Sequence, residues 1–134
     1  MTVARTASLE EAFGLLKQHE NAIALVQNSI HRVERDIFGE LHAETRNMSC
    51  ALESALEERK INVAGITIPE NTGAITPHSL ITQRDKVKSV IGKTISEYTT
   101  QSSVRECLET IHYRLSGGAT EKLDILCSAV LSDQ

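Results

Sequence analysis

The chain is expected to be all-α: a long N-terminal coiled-coil helix over residues 8–60, an extended crossover over 61–76, and three shorter helices packed as a bundle over 77–132. Three observations predict this class. Proline is absent before Pro69, and the first sixty residues are rich in Ala, Leu, Glu, Gln, Lys and Arg, which lose little freedom on entering a helix. Apolar residues recur there in steps of three and four, the pattern of a coiled-coil seam. Beyond Pro69, helix start and stop signals come in quick succession.

Ser8-Leu9-Glu10-Glu11 has the form of a capping box and sets the expected start of the first helix at Ser8. Leu9, Phe13 and Leu16 open its stripe; Ile23, Val26, Ile30, Val33 and Ile37 continue it; Leu41, Thr45, Met48, Leu52 and Ala55 complete it. The two steps of four that follow Ile37 form a stutter. Gly39 lies at that point, so a kink or a change of packing partner is expected near residues 37–45. Such a helix would be a rod of roughly 78 Å, whereas a compact chain of this size has a radius of gyration of about 14 Å. The expected solution is a rod that pairs with a second copy of itself. A hairpin broken at Gly39 is the alternative.

Ile61 to Pro69 is β-branched and is followed by the turn-forming Glu70-Asn71-Thr72-Gly73, which predicts a connection rather than a helix. It is expected to pack Ile61, Val63, Ile66 and Ile68 on the helices, with a short strand offered to a partner as the other reading. Thr76-Pro77 supplies an N-cap and a proline at the first helical position. Leu80, Val87, Ile91, Ile95 and Tyr98 then share one face. Residues 99–103 form a pause, and Ser103-x-x-Glu106 repeats the capping-box pattern. Val104, Leu108, Ile111 and Leu115 follow, Gly117-Gly118 stops that helix, and Thr120 opens a last one with Leu123, Leu126, Cys127 and Val130 inside.

Composition narrows the function classes. The 134 residues carry a net charge of −4 and are 40% apolar but only 3% aromatic, which suits a narrow aliphatic seam more than a ring-lined pocket. The acidic balance argues against nucleic acid, whose phosphates need a surplus of Lys and Arg. No apolar run is long enough to span a membrane. Cys50, Cys107 and Cys127 lie far apart without a Cys-x-x-Cys pair, so they read as free thiols in a reducing, cytoplasmic compartment.

No motif carries chemistry in the expected reading. Glu109-x-x-His112 has the spacing of a di-iron carboxylate bundle but lacks the partner ligands, and no His-x-x-x-His pair or Gly-x-Ser-x-Gly elbow occurs. No catalytic residue, metal or cofactor is expected. The expected function is a non-enzymatic oligomerisation or adaptor module. Its association seam would be Ile23, Val26, Ile30, Val33, Ile37, Leu41, Met48 and Leu52. The like-charge pair Glu53/Glu57, with Glu58 beside it, is the expected surface for an unidentified protein partner. The alternatives are a small acidic chaperone for a secretion or assembly client, and a small helical metal-binding protein or enzyme.

Overall fold

The computed structural model describes residues 2–26, 32–97, 103–117 and 121–125. Among them it is all-helical, with α1 (Thr2–Val26), α2 (Arg32–Glu58), α3 (Pro77–Ser96) and α4 (Ser103–Arg114), a 3-10 turn at Val63–Gly65, and helical residues again at 121–125.

The expected single helix over 8–60 is two helices, and they fold back on each other. The Ser49 hydroxyl donates to the Glu20 carboxylate, a contact that a straight rod would hold roughly 43 Å apart. Leu9 to Leu16 share a core with Met48, Leu52 and Leu56, while Ala22 and Ile23 meet Phe38 and Leu41. The two helices are therefore antiparallel. Gly39 is not the point of reversal: it sits inside α2, where an added Cβ would meet nothing within 4 Å. Nor does α1 begin at a Ser8 capping box. It already runs from Thr2, and the Ser8 hydroxyl donates to Glu97 Oε1 at 3.2 Å. Ser103 is the first residue of α4, and its hydroxyl donates to Glu58 Oε2 at 3.3 Å.

The other contacts fix the topology. Ser8 meets Glu97, and His19 meets Gln83, so α3 also runs antiparallel to α1. Glu58 meets Ser103 at one end, and α4 runs back along α2 and α3. The helices thus stand at the corners of a square, with α1 and α4 each beside α2 and α3. Since α2 and α3 point the same way, the chain between them must travel the length of the bundle. This accounts for a connection far longer than the usual two to eight residues between antiparallel helices.

That connection lies along α1 as a strap. Near its start, a Cβ on Gly14 would stand 2.8 Å from the Thr67 carbonyl oxygen. Glycine is required there because backbone meets backbone. Further along, the Gln18 side chain donates to the Glu70 carbonyl at 3.2 Å, and the Asn71 side chain donates to the Gln18 carbonyl at 3.0 Å. Ile75 ends the strap against the core around Ile23 and Leu80. Ile61, Val63 and Ile66 are partly buried against the larger core, whereas Ile68 is exposed.

Each end of the strap is closed by local chemistry. At the end of α2, Lys60 takes a left-handed conformation (φ 61°), Ile61 N–H donates to the Leu56 carbonyl at 3.1 Å, and Lys60 N–H donates to the Glu57 carbonyl at 2.9 Å. This is the Schellman arrangement, built without its usual glycine. At the start of α3, Thr76 is the N-cap and Pro77 occupies the first turn. Ser79 N–H donates to Thr76 Oγ1 at 3.0 Å, and Thr76 N–H donates to Ser79 Oγ at 2.8 Å.

Candidate functional site

A pocket of about 430 Å3 opens where the end of α2, the beginning of the strap and α1 meet; Phe13, Lys17, Glu53, Glu57, Ile61 and Ile66 are among its lining residues. Each wall follows from the fold. Phe13 is buried on α1, the Lys60 cap swings Ile61 back toward Leu56, and the 3-10 turn sets Val63 and Ile66 beside the core. Ile68 leaves its side chain in solvent at the outer edge.

The rim is acidic. Glu53 is half-buried and Glu57 exposed, and among the described residues neither has an ion-pair partner. Four residues apart on one helix, they repel. They also lie toward the negative end of the helix dipole, where cations are favoured, and the last turn of α2 contains no basic residue. Lys17 lines the same pocket, but its ammonium lies 3.2 Å from both carboxylate oxygens of Glu20. Among the described lining residues, the charge without an ion-pair partner is therefore negative.

Of the three carboxylates expected to form a partner surface, the structure brings Glu53 and Glu57 together and separates Glu58. Glu58 faces α4, accepts from Ser103, and lines a second cavity of about 410 Å3 with Ala51, Ser54, Cys107 and Thr110. Burial pushes the Cys107 thiol up from its ordinary value, which disfavours the thiolate that a nucleophile or metal ligand needs. Glu109 pairs with Arg105 at 2.8 Å. Among the described residues, no group of three His, Cys, Asp or Glu is placed to hold a metal ion.

Four of the eight residues of the expected association seam are buried in the chain's own core. Ile23, Leu41, Met48 and Leu52 are at most 3% exposed, Val26 packs against the smaller core, and Ile37 is half-buried. Ile30 lies outside the described residues, as does the side chain of Val33. Phe38 takes the buried position given to Ile37. With that exchange, Phe38, Leu41, Thr45, Met48, Leu52 and Ala55 alternate steps of three and four, and the stutter disappears.

The residues that sequence reasoning missed are Phe13, Lys17 and the strap residues as parts of one wall. Their juxtaposition depends on the reversal after α1, which the 3.5-residue period did not reveal. The chain matches no known protein family, no curated protein and no solved structure. No helix among the described residues is long and apolar enough to cross a membrane.

Proposed function

We propose that this chain is a non-enzymatic protein-binding module whose working surface is the pocket at the end of α2. The observation that carries the reading is an apolar lining with two carboxylates at the mouth that have no ion-pair partner among the described residues. The occupant that answers both features is a peptide segment with one aliphatic side chain flanked by Lys or Arg. The apolar group gains from leaving water at about 25 cal/mol per Å2. The flanking cation relieves both the Glu53–Glu57 repulsion and the unfavourable dipole.

Self-association is not part of this reading: of the expected seam, Ile23, Leu41, Met48 and Leu52 are covered within one chain, and Ile30 and the Val33 side chain lie outside the described residues. Cys50 and Cys107 are free thiols, which suits the reducing cytoplasm as the proposed location. The test is fluorescence polarisation with two synthetic peptides, one carrying leucine between lysines and one carrying leucine between glutamates, at low and high salt. The lysine peptide should bind in preference, more weakly as salt rises. Replacing Glu53 and Glu57 with Gln should lower its affinity roughly tenfold, the sum of two exposed ion pairs. Equal binding of the two peptides, or an unchanged affinity in the double variant, would sink the proposal.

A further inference from the structure

The strap presents a backbone edge beside the pocket at the end of α2, and one contact sets its direction. A Cβ on Gly14 would stand 2.8 Å from the Thr67 carbonyl oxygen, while the next strap atom, Pro69 Cδ, lies at 3.6 Å. That carbonyl therefore points at α1. No peptide bond among the described residues is cis, and across a planar trans peptide the C=O and N–H point in opposite directions. The Ile68 N–H thus points away from α1. Ile66 is extended (φ −78°, ψ 130°), and Pro69 holds Ile68, the residue before it, extended as well. Thr67, β-branched and outside any turn, continues that course. Carbonyls alternate along extended backbone, so those of Ile66 and Ile68 also face outward.

This edge is open and fixed in place. Ile66 uses its N–H on the Val63 carbonyl at 3.1 Å, and the Glu70 carbonyl accepts from Gln18. Between them, the Ile66 carbonyl, the Ile68 N–H and the Ile68 carbonyl have no hydrogen-bond partner among the described residues. Thr67 and Ile68 are exposed. Ile66 packs on the larger core, Ile75 on the smaller one, and Asn71 is bonded to both Gln18 and Gln83. An edge held this way loses little freedom when it pairs. Pro69 has no N–H, which keeps the edge short.

We propose that an extended peptide docks on this edge as an added strand, hydrogen-bonded at Ile66 and Ile68, and turns alternate side chains into the pocket. The Ile68 N–H donates to a peptide carbonyl, and the Ile66 and Ile68 carbonyls accept peptide N–H groups two residues apart. Ile66 and Ile68 both line the pocket, so every second peptide side chain shares their face. One of these is the aliphatic group that enters the pocket. The next on that face is the Lys or Arg that meets Glu53 and Glu57. Such docking rests on the pocket being a site for an aliphatic, basic segment, and defines how that segment is held.

The test is fluorescence polarisation of the full chain with the labelled peptide Lys-Thr-Leu-Thr-Lys, and with versions N-methylated at one residue each. N-methylation at alternate residues should weaken binding about fivefold, in line with one lost hydrogen bond, and at the intervening residues should leave it unchanged. On the protein, Ile68→Pro deletes the N–H while Ile68→Ala keeps it, and both shorten the side chain. The proline variant should bind about fivefold more weakly than the alanine variant. If it does not fold, the N-methyl series decides alone. A uniform N-methyl series, or equal binding by the two folded variants, would overturn the added strand; a persisting preference for lysine over glutamate peptides would then leave the pocket reading standing. A peptide that binds no better than Glu-Thr-Leu-Thr-Glu would overturn both.

Discussion

Helices α1 and α2 are nearly equal in length, 25 and 27 residues, yet they belong to different environments. In α1, Ala12, Phe13, Gly14, Leu15 and Leu16 are buried in an unbroken run. Five consecutive residues point in every direction around a helix of 3.6 residues per turn, so no face of α1 meets water there. Helix α2 buries one stripe and leaves Ala43, Arg46, Asn47 and Cys50 exposed. The difference comes from neighbours: α2 and α3 flank α1 on two sides and the strap covers another. A helix apolar all round is a core helix, and one with a single stripe lies at the surface.

The sharpest way to break this contrast is one substitution made in both helices. Ala12 is fully buried, and Ala12→Asp should cost several kcal/mol, because it places a carboxylate without a partner in the core. Ala43 is exposed, and Ala43→Asp should stay within about 0.5 kcal/mol of the parent. Urea denaturation of both variants reads the difference. Similar effects in the two helices would mean that α1 is not enclosed.

The glycines give a smaller effect with opposite signs. Alanine at Gly14 must displace the Thr67 carbonyl, 2.8 Å from the new Cβ. Strain of about 1–3 kcal/mol should outweigh the helix-propensity gain. At Gly39 nothing lies within 4 Å, so Gly39→Ala should raise stability by roughly 1 kcal/mol. Thermal melts of the pair should move apart; a stabilised Gly14→Ala would place the strap elsewhere.

At the end of α2, Lys60→Gly should add about 1 kcal/mol by removing the cost of a side chain at φ 61°. The smallest effect belongs to Glu57→Gln, which should stabilise the unliganded protein by a few tenths of a kcal/mol, since it removes a like-charge pair near a helix C-terminus. Salt should erase that gain. A gain that persists in high salt would assign the effect to something other than charge.

Much of the C-terminal half was legible. The Thr76-Pro77 start is a local signal, and local geometry answered it with a full capping box. The stripes Leu80–Val87–Ile91 and Val104–Leu108–Ile111 are buried as their spacing requires. In the N-terminal half the antiparallel return of α2 along α1 was missed. The error had one physical source. A 3.5-residue period says that a stripe is buried, but not whether its cover comes from another chain or from the same one. It also hid Ala12, Leu15 and Ala22, buried outside the chosen stripe. In the candidate site, the Glu53/Glu57 pair was visible as an electrostatic anomaly on one helix. The apolar wall beneath it was not, since it gathers residues from α1 and the strap. His19 looked like one of five unremarkable histidines because nothing in its neighbours along the chain predicts its burial.

The claim on which the rest depends is that α1 and α2 close on each other within one chain. Small-angle X-ray scattering coupled to light scattering addresses it directly. A particle of 14.7 kDa with a radius of gyration of about 14 Å is the predicted result. A dimer with a maximum dimension near or above roughly 78 Å, the length of the uninterrupted helix, would contradict it.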